Sequence, residues 1–139
     1  MQWIVNADEA KQLISQGATI LDTRNKLAWL ISHIPGAVHV TWQQFSNNKK
    51  PYRGTLLADA KILEQKLRQV GIFNSKPVIV LGNPPDNFGE EGRIVWMLRT
   101  LGHQSAAFVD GGYNALVKAG VPTTRGLNQP PEIGDFVVN

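Results

Sequence analysis

Lys76-Pro77-Val78-Ile79-Val80-Leu81-Gly82-Asn83-Pro84-Pro85 is the stretch that decides the fold. Four consecutive apolar residues after a Lys-Pro step match a strand buried on both faces, as in a parallel sheet between two layers of helices. Downstream, residues 90–101 carry Ile94, Met97, Leu98 and Leu101 at helical spacing, with Gly102 as the stop. Upstream, residues 59–70 place Ala60, Leu63, Leu67 and Val70 on one face, closed by Gly71. A strand set between two helices is the building unit of a parallel sheet.

The rest of the chain repeats the alternation. Trp3-Ile4-Val5 is a short extended start, and Asn6 with Glu9 three residues later forms a capping-box signature. Ala10, Leu13 and Ile14 share one helical face that ends at Gly17. Thr19-Ile20-Leu21 reads as a strand, residues 25–32 as a short helix, and Ala37-Val38-His39-Val40 as a second strand beyond a Pro35-Gly36 break. Residues 46–55 are polar and loop-like. Ala106-Ala107-Phe108-Val109 is the last strand, and Asp110-Gly111-Gly112 turns the chain into a helix over about 113–119. The order predicts an α/β fold, a central mostly parallel sheet with helices on both faces, spanning residues 1–125. Residues 126–139, with Pro130 and Pro131, read as a tail or interdomain linker; Ile133, Phe136, Val137 and Val138 are expected to pack on a neighbour or begin a further domain.

A chain of 139 residues supports one domain with a sizeable core. The absence of cysteine excludes disulfides, thiolate–metal centres and any cysteine nucleophile. The net charge of +3 is mild, and the densest basic cluster, Lys49, Lys50 and Arg53, sits in a loop without a stripe of interleaved aromatics, so no nucleic-acid partner is expected. No run approaches the ~20 apolar residues of a membrane span, and Met1 to Asn6 lacks a basic, apolar leader, so a cytoplasmic protein is expected.

Ile20-Leu21-Asp22-Thr23-Arg24, His33-Ile34-Pro35-Gly36-Ala37-Val38, Val78-Ile79-Val80-Leu81 and Asp110-Gly111-Gly112-Tyr113, in this order and spacing, resemble a rhodanese (thiosulfate sulfurtransferase) domain across roughly residues 5–122. The resemblance implies the rhodanese-like α/β fold and assigns Asp22, Arg24, His33, Pro35, Gly36, Asp110, Gly111 and Gly112 to family motifs. In active members a cysteine follows the central strand and carries transferable sulfur as a persulfide. The strand match puts Gly82 at that position, and no other cysteine replaces it. The chain is most like the cysteine-less N-terminal domain of tandem sulfurtransferases. That likeness implies a partner, a second rhodanese domain in the same protein, and no cofactor.

The matching active loop would comprise Gly82, Asn83, Pro84, Pro85, Asp86, Asn87, Phe88, Gly89, Glu90, Glu91, Gly92 and Arg93. Such a loop cradles an anion with inward N–H groups and a helix N-terminus. Here Pro84 and Pro85 lack N–H groups, and Asp86, Glu90 and Glu91 oppose a single nearby cation, Arg93, eleven residues after Gly82. Glu90 and Glu91 are expected to stabilise the start of the helix, at about 0.3–1 kcal/mol each. Ser75 and Ser105 do not sit in a nucleophile elbow. His33, His39 and His103 lack metal-ligand spacing and are expected to be structural or exposed. Asp22 and Arg24 fit an internal ion pair, Asp110 a cap on its turn, and Trp29, Trp42 and Trp96 core or rim packing.

Three functions remain open on the residues. One is the catalytically silent domain of a thiosulfate sulfurtransferase-type protein. Another is a stand-alone binding or sensor module using loop 82–92. The third is an enzyme of another class using Asp22, Arg24 and Asp110.

Overall fold

The computed structural model describes residues 1–51, 53–84 and 89–139. Strand β1 (Ile4–Val5) leads into α1 (Ala7–Ser15), then β2 (Thr19–Asp22), α2 (Lys26–Ile31), β3 (Val38–His39) and a 3-10 helix (Trp42–Gln44). There follow α3 (Ala60–Gln69), β4 (Val78–Leu81), α4 (Glu90–Thr100), β5 (Ala106–Val109) and α5 (Gly112–Lys118). The strands form one sheet in the order β1-β5-β4-β2-β3, every pairing parallel. The Asn6–Glu9 capping box is present, with Glu9 N donating to Asn6 Oδ1 at 2.8 Å and Asn6 N to Glu9 Oε1 at 3.2 Å.

β4 is fully buried, and its pleat divides the core. Val78 and Val80 join Leu63, Leu67, Ile94 and Leu98 from α3 and α4. Ile79 and Leu81 join Ala10 of α1 and Leu116 of α5 on the other face. Burying each of these strand side chains contributes roughly 1.5–3 kcal/mol, so the central strand and the two helix layers stabilise one another. With both faces covered, every loop that follows a strand emerges at the same end of the sheet, where open α/β sheets place their sites.

Residues 132–139 run back across α3 and α4. Gly134 N donates to Arg68 O at 2.8 Å, Phe136 N to Ile72 O at 3.1 Å, and Asn139 N to Leu101 O at 3.0 Å. Arg68 Nε returns to Phe136 O at 2.8 Å. A side chain at Gly134 would collide with the backbone of Ile72, so glycine allows this close approach. Phe136 is buried in the α3–α4 core beside His103, and Val138 packs partly against the same cluster, whereas Ile133 and Val137 are exposed. Phe136→Ala is therefore expected to cost about 3–5 kcal/mol, read as a lower urea midpoint at unchanged m-value.

Candidate functional site

β2 ends at Asp22, level with Leu81 at the end of β4, and Arg24 follows two residues on. Asp22 and Arg24 are both buried. Asp22 accepts from Arg24 N at 2.9 Å, from Nε at 3.0 and 3.1 Å, and from Nη2 at 2.9 Å. The same Nη2 donates to Ser32 O at 2.6 Å, which ties the end of α2 to the pair. The guanidinium lies 3.5 Å from the centroid of the Tyr113 ring, and the Tyr113 hydroxyl meets Ser32 Oγ at 2.5 Å. His39 Nε2 donates to Arg24 O at 2.7 Å. Asp22 thus matches the charge of Arg24 and occupies its Nε–Nη2 fork, and Tyr113 covers one face of the guanidinium.

Gly82 follows β4 directly and is buried. Its carbonyl accepts from Tyr113 N at 2.9 Å, which fastens the end of β4 to the first turn of α5. Gly112 (φ 62°) sits in the left-handed region against that carbonyl, where any Cβ would collide with Gly82 O. Asn83 Oδ1 accepts from Asn114 Nδ2 at 2.9 Å, and Pro84 is exposed. Pro85, Asp86, Asn87 and Phe88 of the loop lie outside the described residues.

The helix beyond the loop starts at exposed Gly89, its N-cap, with Glu90 and Glu91 in the first turn. Glu90 also reaches across to accept from Trp42 N at 2.9 Å, so it links α4 to the 3-10 helix. Glu91 is buried, and its Oε2 has no hydrogen-bond partner among the described residues. Gly92 is half-buried within α4. Arg93 is exposed and stands 5.7 Å from the Trp42 ring centroid, in a side cleft of about 400 Å³ shared with Gln43, Gly89 and Glu90. A second cleft, of about 630 Å³, opens at the strand ends between Arg24, Lys26, His39, Thr41, Asn83 and Glu90. With Arg24 neutralised by Asp22, the cleft's remaining formal charges are Lys26 and Glu90, which cancel, so its pull on a dianion is small.

The structure brings Asp22, Arg24, Gly82, Asn83 and Gly112 together and keeps other motif residues apart. Pro35 and Gly36 form an exposed turn before β3, and buried His33 bonds Trp29 and Asn128 rather than lining the strand-end cleft. Asp110 departs from its expected capping role. It is exposed, with no side-chain hydrogen bond or ion pair among the described residues, and Gly111 caps α5 without a side-chain bond, so the turn rests on Tyr113 N and Gly82 O. Trp29 and Trp42 are buried, and Trp96 is half exposed beside Trp42. All three histidines bond backbone carbonyls, and no three metal-ligating side chains converge among the described residues. Sequence reasoning assigned no role to Tyr113, Ser32 or Glu90 as a clamp on Trp42; these depend on chain crossings that spacing does not reveal.

Two stability changes follow from this geometry. Arg24→Ala strands a buried carboxylate and is expected to cost about 3–5 kcal/mol, with Arg24→Lys a poor rescue because it loses the fork. Glu91→Met removes a buried oxygen that has no hydrogen-bond partner among the described residues and is expected to raise stability by about 1 kcal/mol, the relief outweighing the lost helix-end attraction. Urea denaturation of each variant beside the parent chain measures both.

Comparison with known proteins yields consistent matches. The family model described as "Rhodanese-like domain" matches residues 6–119. A putative thiosulfate sulfurtransferase of Synechococcus elongatus is 28% identical over 126 residues, 90% of this chain and 39% of that protein. Bovine (Bos taurus) thiosulfate sulfurtransferase is 26% identical over 139 residues, 93% of this chain and 46% of that protein. Among solved structures, the 3-mercaptopyruvate sulfotransferase SseA of Escherichia coli superposes with a TM-score of 0.83 at 25% identity, covering 100% of this chain and 56% of that one. The chain thus spans less than half the length of these two curated relatives.

Proposed function

The chain belongs to the rhodanese-like domain family, and from that premise we propose that it is the catalytically silent domain of a thiosulfate sulfurtransferase-type protein. In this reading Gly82 holds the position of the family's cysteine. A second, cysteine-bearing rhodanese domain in the same protein carries the sulfane sulfur from thiosulfate to a thiophilic acceptor. Residues 126–139 are the start of the connection to that domain, packing first across α3 and α4.

One observation carries the reading: a chain with no cysteine matches, over residues 6–119, a family whose sulfur transfer works through one. A cysteine persulfide cannot form here, and serine does not substitute for the thiolate in that chemistry. The partial coverage of the thiosulfate sulfurtransferases it matches supports the two-domain part. The strand-end cleft supports the silent part, since Glu90 offsets Lys26 in its wall, Arg24 is neutralised by Asp22, and Pro84 offers no N–H to an anion.

With this chain alone, thiosulfate-to-cyanide sulfur transfer is expected to stay at the uncatalysed rate, and intact mass after incubation with donor is expected to show no gain of about 32 Da. Turnover or that adduct overturns the silent assignment. Sequencing the reading frame past Asn139 tests the second domain, and a stop codon at that point sinks it. Gly82→Cys is expected to remain at least about 10²-fold below a competent member, because the acidic, proline-bearing sequence after it still opposes a thiolate and an anion; robust turnover from that single change would mean the loop chemistry is wrongly read.

A further inference from the structure

β3 is an edge strand, paired with β2 on one side only. Val40 N donates to Asp22 O at 3.0 Å, and the register sets Asp22 opposite His39. Along a parallel strand, the residues that bond the neighbouring strand alternate with residues that do not. Val38 and Val40 therefore turn their backbone groups toward β2, and Ala37 and His39 turn theirs to the open edge. These two outward positions differ. Ala37 O accepts from Trp29 Nε1 at 3.1 Å and from Asn128 Nδ2 at 2.7 Å. The backbone N–H and C=O of His39 have no hydrogen-bond partner among the described residues.

The segment that follows α5 runs along this edge without pairing with it. Asn128 holds it to Ala37, and no backbone hydrogen bond among the described residues joins residues 127–131 to β3. Pro130 and Pro131 have no N–H to give. The gap is a cavity of about 440 Å³, walled by Trp29, Val38, His39, Leu127, Pro130 and Pro131 among others. That is the size of a small-molecule site, and its walls are largely apolar. Lys26 also lines it, exposed and with no ion pair or hydrogen bond among the described residues, and no Asp or Glu does. An open backbone donor and acceptor match an amide, an unpaired cation matches an anion, and apolar walls match a hydrocarbon side chain.

We propose that this cavity binds an apolar α-amino acid with an acylated nitrogen and a free carboxylate, as a free molecule or as the last residue of a peptide. Residues opposed in a hydrogen-bonded antiparallel pair exchange two bonds. A terminal residue laid against His39 donates its amide N–H to His39 O, and its carboxylate accepts from His39 N in place of a chain carbonyl. Acylation removes the ammonium, so the ligand carries a net negative charge, which Lys26 complements. The side chain lies against Trp29 and Leu127. The strand-end cleft also touches Lys26 and His39, but this ligand is held by the outer edge of β3 and needs neither Asp22, Arg24 nor Gly82.

Titration of the full chain with N-acetyl-L-leucine, followed in ¹H–¹⁵N spectra, tests the site. The amides of His39 and Leu127 are expected to shift together and saturate with a Kd of about 1 mM, while β4 amides stay in place. N-acetyl-L-leucinamide, which lacks the carboxylate, is expected to bind at least about tenfold more weakly. Lys26→Gln is expected to weaken the acid by about tenfold and leave the amide unchanged. N-acetyl-glycyl-glycyl-L-leucine separates the two sources: tighter binding than N-acetyl-L-leucine assigns the cavity to a peptide terminus, and equal or weaker binding to the free molecule. No saturable shift at His39 up to about 20 mM acid, equal binding of acid and amide, or unchanged affinity for the acid in Lys26→Gln each overturns the proposal.

Discussion

Every part of the strand-end architecture leans on the buried pairing of Asp22 with Arg24. Taking two charges out of water costs several kcal/mol per ion unless the geometry compensates. Here the carboxylate accepts from the backbone and the side chain of Arg24 together, and the guanidinium finds a carbonyl and an aromatic face besides. The pair orients the start of α5 through Tyr113, the end of α2 through Ser32 and the end of β3 through His39. A buried cation matched by its own carboxylate is a structural fixture, which leaves it little charge to offer a ligand.

The same economy appears at β4. Gly82, the residue just past the central strand, has no side chain, and its carbonyl is tied to the first turn of α5. The helix beyond it directs one carboxylate to Trp42 and buries another. Groups that could have faced a substrate instead join neighbouring elements, which suits a scaffold domain better than a reaction centre.

Most of the fold was legible in the sequence because its determinants are local. The apolar run at 78–81, the helical spacing of Leu63 and Leu67, and the Asn6–Glu9 box each act within a few residues. The 3-10 helix at 42–44 carries a local signal, Thr41 N donating to Gln44 Oε1 at 2.7 Å, but one turn is too short for a periodic pattern, and its seating on Glu90 and Gly54 is long-range. The ion pair of Asp22 and Arg24 was readable from their spacing at a strand end. The uses of Tyr113, Ser32 and Asn128 were not, because their partners lie 81 to 95 residues away and depend on how the sheet closes. Asp110 misled because an acidic residue before two glycines resembles a cap, while the turn it precedes is secured by backbone groups alone.

The sheet's order sets a timetable for synthesis. β1 pairs only with β5, so Ile4 and Val5 leave the ribosome about a hundred residues before their ladder partner exists. The α3–α4 layer likewise lacks one aromatic plug until residue 136 has emerged. An N-terminal strand that must wait this long, with half-exposed Trp3 beside it, presents an unpaired apolar edge to the cell during translation, the kind of surface that chaperones shelter.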